Sequence, residues 1–130
     1  MFLAVNTYNR RRCLAAPSIH QSLISIWSQA NAWRIGRYVL MPDHLHLFAA
    51  PGPDFVNFDN WVRYWKSEFV KAHLAQNLAW QTDHWDRRMR SQDSYDSKLN
   101  YVRNNPVRAG LVENPDDWPF QGVLNPLTWH

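Results

Sequence analysis

The run Tyr38-Val-Leu-Met-Pro-Asp-His-Leu-His-Leu-Phe48 constrains the fold more than any other stretch of this chain. A proline followed by an aspartate is turn chemistry, and the alternation on either side of Pro42-Asp43 reads as a hairpin. The pattern predicts a strand over Trp33 to Met41, a tight turn, and a returning strand over His44 to Ala49. Successive strand side chains point to opposite faces, so Leu45 and Leu47 enter a core while His44 and His46 share the other side. Two imidazoles side by side suggest a metal, although a solitary His-x-His is more often a pair of satisfied polar residues.

The flanking segments extend the pattern. Phe2 to Tyr8 is apolar and β-rich, and Asn9 with Arg10, Arg11 and Arg12 closes it as a basic loop. Ser18-Ile-His-Gln21 has the form of a capping box, and Ile19, Leu23, Ile26, Trp27 and Ala30 recur at helical spacing. His20 on that helix reads as solvated. Pro51-Gly-Pro53 breaks the chain, after which Trp61, Trp65, Phe69 and Ala72 mark the inner stripe of a second helix ending near Asn77. It carries Arg63, Lys66 and Lys71 outward, as a solvated face or as contacts to phosphate. Leu78 to Trp85 reads as a fourth strand, and Asp93 to Asn104 as a third helix that stops before Pro106. The remainder, with Pro115, Pro119 and Pro126, reads as an ordered tail wrapping the domain.

The order strand, helix, strand, strand, helix, strand predicts an α+β fold. It is a ferredoxin-like βαββαβ antiparallel sheet with helices on one face, the other face open, and a C-terminal helix packed from outside. At 130 residues the chain fits one domain, 1–130. Eight Trp, five Tyr and six Phe are a heavy aromatic load, which core packing absorbs first and unpaired bases second. A formal charge of +3, carried mostly by arginine, is compatible with nucleic acid without requiring it. Cys13 is alone, which excludes a disulfide framework and a cysteine-based zinc site. Without a signal peptide or long apolar run, a soluble cytoplasmic protein with no membrane partner is expected.

Tyr101 and Asn105 stand four residues apart in Asn100-Tyr-Val-Arg-Asn-Asn-Pro106, which on a helix places a hydroxyl and a carboxamide on one side. Taken alone, Tyr101 is an ordinary amphipathic helix residue. Taken together, Tyr-Val-Leu-Met-Pro-Asp-His-Leu-His-Leu at 38 to 47 and Tyr-Val-Arg-Asn-Asn-Pro-Val-Arg-Ala-Gly-Leu-Val at 101 to 112 resemble the two signatures of the single-tyrosine HUH transposases. The nearest branch is that of the REP-associated tyrosine transposases. The resemblance runs from Asn6-Thr-Tyr-Asn-Arg10 through Trp80-Gln81 and Arg90-Ser91 to Asp117-Trp-Pro119. It implies His44 and His46 as metal ligands, Asn105 as the third protein ligand and Tyr101 as the nucleophile. It also implies single-stranded or hairpin DNA as partner, with monomer and homodimer both left open, and a divalent ion; imidazoles favour manganese, zinc or nickel, while phosphate chemistry and abundance favour Mg²⁺, with Mn²⁺ as substitute.

A phosphodiester repels nucleophiles, so cleavage needs its charge neutralised and an oriented attacking group. A tyrosine attacking phosphorus forms a 5′-phosphotyrosine, and the retained bond energy lets a 3′-hydroxyl rejoin the strand. A free phenol ionises near ~10, so the reaction needs help with deprotonation, and the sequence names no certain base. Arg10, Arg11, Arg12, Lys66, Arg103 and Arg108 are the candidate DNA contacts. Two other readings stand beside this one. A small-molecule metalloenzyme of cupin type needs a further histidine and a glutamate on a larger barrel, and Glu68 and Glu113 both fall on or near expected helices. A non-catalytic module of ferredoxin-like fold binding single-stranded nucleic acid would need stacking aromatics where the third strand has histidines.

Overall fold

The structure is a computed structural model that describes residues 1–127; the last residues of the tail, 128–130, lie outside the described part. β1 (Phe2–Asn6), α1 (Pro17–Gln29), β2 (Trp33–Leu40), β3 (His44–Pro51), α2 (Phe58–Ala72) and β4 (Trp85–Arg87) follow in the expected order. They are joined by α3 (Gln92–Arg103), a short α4 (Asn105–Arg108) and β5 (Gln121–Val123). The five strands form one antiparallel sheet in the order β4-β1-β3-β2-β5. This is the α+β architecture expected, with its first four strands in an order compatible with the ferredoxin-like arrangement.

One face of the sheet carries the main core. Leu3, Val5, Leu45 and Leu47 meet Ile19, Leu23 and Trp27 of α1 and Trp61, Val62, Trp65 and Phe69 of α2. Tryptophan rings hold the layers together: Trp27 meets Trp65 edge-on at 5.7 Å, and Trp65 meets Trp80 at 5.5 Å. Such pairs add roughly 0.5–1.5 kcal/mol each beyond the area they bury. Parity within β2 changes along its length, because Trp33 and Ile35 face this core and so do Tyr38 and Leu40. A register shift between Ile35 and Tyr38 reconciles the two halves, the one-residue insertion of a β-bulge.

Several expected elements are corrected. α1 begins at Pro17, whose fixed φ suits a first helical position, so Ala16 is the cap and Ser18 makes no capping box. β1 ends at Asn6, and Tyr8–Arg10 is a 3-10 turn. Ala72 is exposed at the end of α2, and His73 is buried there instead, against Phe69. Residues 78–84 form no strand beyond a bridge between Thr7 and Trp80; β4 starts at Trp85. Leu78 and Trp80 are apolar because they fill the core beneath α2, not because they pair in the sheet.

The second sheet face is not left free. Phe2, Val39, Phe48, Met89, Val102 and Trp118 form a second buried cluster there, with Tyr95 and Leu99 of α3 packed on it. The tail completes it: Trp118 donates its indole N–H to the Leu40 carbonyl at 2.9 Å, and β5 adds to the edge of β2. His20 is not simply solvated either. It is half-buried and shares a 2.6 Å hydrogen bond with the Tyr38 hydroxyl, and burial lowers its pKa while raising that of Tyr38 to about 12. Burial thus keeps both partners of this bond neutral.

Candidate active site

Pairing of β1 with β3 sets Ala4 opposite His46 and Asn6 opposite His44. Leu45 and Leu47 are fully buried beneath the helices, so the alternation delivers both imidazoles to the α3 face, with ring centroids 5.0 Å apart. α3 reaches that face through a stripe of Tyr95, Leu99 and Val102. The neighbouring stripe, one helical step round, carries Lys98 and Tyr101 and continues to Asn105.

Asn105 lies outside α3 and opens α4: Asn104 breaks the helix, and buried Pro106 takes the second position of the next turn. The Asn105 carboxamide lies 3.3 Å from His44 Nε2. On the far side of the same ring, Nδ1 lies 2.7 Å from Asp43 Oδ1. These contacts agree on one tautomer, with Nδ1–H donating to the carboxylate and the Nε2 lone pair turned to Asn105. Burial pushes the Asp43 carboxyl up, but hydrogen bonds from His44 and Arg10 and the Arg10 charge outweigh it, and the net pKa is lowered. Thr7 fixes the turn by donating its hydroxyl toward the Arg11 and Asp43 carbonyls at 2.8 and 3.0 Å.

His46 stacks on Phe2 at 5.5 Å, and its Nδ1 is buried with no hydrogen-bond partner among the described residues. Burial, reinforced by His44, Lys98 and Arg108, lowers its pKa to about 3, so the ring is neutral. Two imidazoles, that of His46 neutral and with an orphaned buried nitrogen, and a carboxamide that can flip to offer its oxygen fit a divalent cation. The supporting carboxylate on His44 matches the outer shell such ligands ordinarily have.

Tyr101 is exposed, and the Arg108 guanidinium lies over its ring at 3.8 Å while donating to the Tyr101 carbonyl at 2.6 Å. Lys98 Nζ lies 5.4 Å from the Tyr101 ring centroid, 4.9 Å from that of Phe2 and 5.3 Å from that of Trp85. Phe2 and Lys98 thus link the histidines to Tyr101. Tyr95, the other tyrosine of α3, packs on Phe48 at 4.9 Å and is half-buried. A groove of about 470 Å³ adjoins Tyr101, lined also by Arg87, Met89, Asp93, Ser94, Ser97 and Lys98.

The expected DNA contacts are spread out. Arg10 pairs with Asp43 at 3.0 Å, and Arg11 donates to the carbonyls of Gln76 and Asn77 at 3.0 and 3.2 Å. Lys66 donates to the Gln81 and Thr82 carbonyls at 3.0 and 3.3 Å. Burial lowers the Lys66 pKa, opposed by Asp83 and aided by Arg63. Arg103 pairs with Asp116, and Arg12 is exposed with no ion pair or hydrogen bond among the described residues. Sequence reasoning missed Asp43, Phe2 and Lys98. Asp43 precedes the first histidine and Lys98 lies one turn before Tyr101, so both had a local signal; Phe2 had none.

No family model matches the chain. A REP-associated tyrosine transposase of Escherichia coli K12 is 29% identical over 98% of this chain and 82% of that protein. The solved structure of a REP-associated tyrosine transposase bound to a REP hairpin is 30% identical, covers 92% of this chain and 73% of that one, and superposes with a TM-score of 0.78. The chain belongs to the REP-associated tyrosine transposases. It is therefore a tyrosine transposase, with its first signature block on the β2–β3 hairpin and its second starting on α3 and running through α4. A crystal structure from Deinococcus radiodurans, 17% identical over 79% of this chain and 87% of that one, has a TM-score of 0.57 and shares the fold. Among the described residues no helix of the transposase is long and apolar enough to cross a membrane.

Proposed function

We propose that this transposase cleaves and rejoins single-stranded DNA at hairpin-forming repeats through a 5′-phosphotyrosine on Tyr101, with residues 1–130 acting as one HUH domain. The observation that carries the reading is the His44–Asn105 contact of 3.3 Å, which joins the two signature blocks across 61 residues of sequence. The hairpin is taken from the relative solved with a REP hairpin bound.

His44, His46 and Asn105 would hold the divalent ion, Mg²⁺ in the cell with Mn²⁺ substituting in assays. A divalent ion held by these residues would supply charge neutralisation at the scissile phosphate. Asp43 keeps His44 in the ligating tautomer, and burial keeps His46 neutral at working pH. Arg108, over the Tyr101 ring, orients the nucleophile. The Tyr101 oxygen gives up its proton as it bonds to phosphorus, the bond from phosphorus to the 3′ oxygen breaks, and that oxygen takes up a proton and leaves as a 3′-hydroxyl. Attack by a 3′-hydroxyl reverses these steps and joins strands.

Incubating the protein with a labelled single-stranded hairpin and Mn²⁺ should give a denaturant-resistant protein–DNA adduct. Binding without adduct or cleavage would turn the assignment to a non-catalytic nucleic-acid module.

A further inference from the structure

We infer that Asp59, His84 and Asp86 form a second divalent-cation site, suited to zinc and separate from the histidine pair. His84 Nε2 lies 3.1 Å from Asp59 Oδ1 and 3.2 Å from Asp86 Oδ2. All three donor atoms lie within 4.8 Å of one another. Bonds of ~2.0–2.2 Å to one ion place neighbouring donors roughly 3–3.5 Å apart, which is the spacing of both His84–aspartate pairs. One nitrogen and two carboxylate oxygens suit zinc better than magnesium, which favours oxygen alone.

Sheet register places this cluster on the other face from His44 and His46. Trp85 pairs with Ala4, whose opposite neighbour is His46, whereas Asp86 pairs with Leu3, a residue of the core beneath α1 and α2. Asp86 therefore projects with Leu3 toward the start of α2, where Asp59 stands.

The cluster is charge-unbalanced and held in place. The chain has 14 Lys and Arg against 11 Asp and Glu, yet neither Asp59 nor Asp86 has a Lys or Arg within 4.0 Å among the described residues. A single imidazole N–H cannot serve both carboxylates well, and a cation at their meeting point satisfies all three. Asn57 caps α2, accepting from the Asp59 and Asn60 N–H groups, so the Asp59 carboxylate is free of that task. Lys66 pins the carbonyls of Gln81 and Thr82 just before His84, and the His84 side chain is only 13% exposed. Asp59 is half-open to solvent, which leaves room for water to complete the shell.

A cation here staples the three-residue edge strand β4 to α2. Trp85 and Arg87 on that strand border Lys98 and the groove beside Tyr101, so the site stiffens a wall of the active face without entering its chemistry.

Calorimetric titration of the full chain with Zn²⁺ tests this without relying on DNA cleavage. About two equivalents should bind the parent protein and about one each the His84→Ala and the His44→Ala plus His46→Ala variants. Asp86→Asn should behave as His84→Ala does. If the double histidine variant does not fold, the visible spectrum of the Co²⁺-loaded parent against that of Co²⁺-loaded His84→Ala decides: a lost component supports the site. A parent that binds one equivalent, removed by His84→Ala, supports it and counts against the histidine pair. Stoichiometry and spectrum unchanged by His84→Ala overturn it and leave His84 as a hydrogen-bonding partner of the two aspartates.

Discussion

Asp43 hydrogen-bonds His44 Nδ1 at 2.7 Å, and so aims the opposite ring nitrogen at Asn105. The same carboxylate pairs with Arg10 through its other oxygen at 3.0 Å. Removing it frees the ring to rotate or to change tautomer. Asp43→Ala should therefore lower Mn²⁺ affinity about 10–100-fold, the usual cost of losing such a supporting carboxylate. Calorimetry at neutral pH measures it, and an affinity equal to that of the parent would remove His44 from the ligand set.

The two tyrosines of α3 should part company when tested. Tyr101→Phe keeps the ring under Arg108 and deletes only the hydroxyl, so folding and hairpin binding persist while cleavage and the covalent adduct vanish. Tyr95→Phe, on the sheet side of the helix, should leave adduct formation largely intact. Cleavage surviving in Tyr101→Phe with the same metal dependence would falsify the tyrosine assignment.

Arg11 and Arg12 are neighbours with different tasks. Arg12 has no partner among the described residues, so it is free for phosphate, and Arg12→Ala should reduce the salt dependence of DNA binding by about 0.7–0.9 in log–log slope. Arg11 clips the turn after α2 through two carbonyls, and Arg11→Ala should instead cost about 1 kcal/mol of stability. Binding titrations at several salt concentrations, with denaturant unfolding of the same variants, separate the two. Equal salt slopes for Arg12→Ala and the parent would take Arg12 out of the interface.

Stability of the metal-free protein should fall with acid in a window set by His46. Its folded pKa of about 3 is below the ordinary 6.5, so above pH 6.5 the ring is neutral folded or unfolded and costs nothing. Below 6.5 the unfolded chain takes up a proton that the folded chain refuses until near pH 3, and stability is lost across that interval. His20, lowered by burial, adds in the same direction. His46→Leu should flatten the profile in urea unfolding between pH 7 and roughly 4. A parent profile already flat there would mean that His46 protonates in the fold.

Local periodicity was enough to read the β2–β3 hairpin, all three long helices and the shared face of His44 and His46, because a period of two leaves the imidazoles no other arrangement once Leu45 and Leu47 are buried. The one-turn spacing of Tyr101 and Asn105 was legible for the same reason, although the break at Asn104 and the restart of the helix at Asn105 were not. Tertiary packing decided the rest. The segment from Leu78 to Trp85 reads as a strand in sequence, yet Leu78 and Trp80 fill a hole beneath α2, and the edge strand forms only from Trp85. His20 reads as a surface residue until Tyr38, 18 positions on, covers it. α3 lies across the histidine face because Phe48 and Val39 leave an apolar patch there that Tyr95, Leu99 and Val102 close. Asp59 gains meaning only when β4 brings His84 and Asp86 to the start of α2. Periodicity is a property of neighbours along the chain, whereas these contacts join residues that only the burial of the two sheet faces brings together.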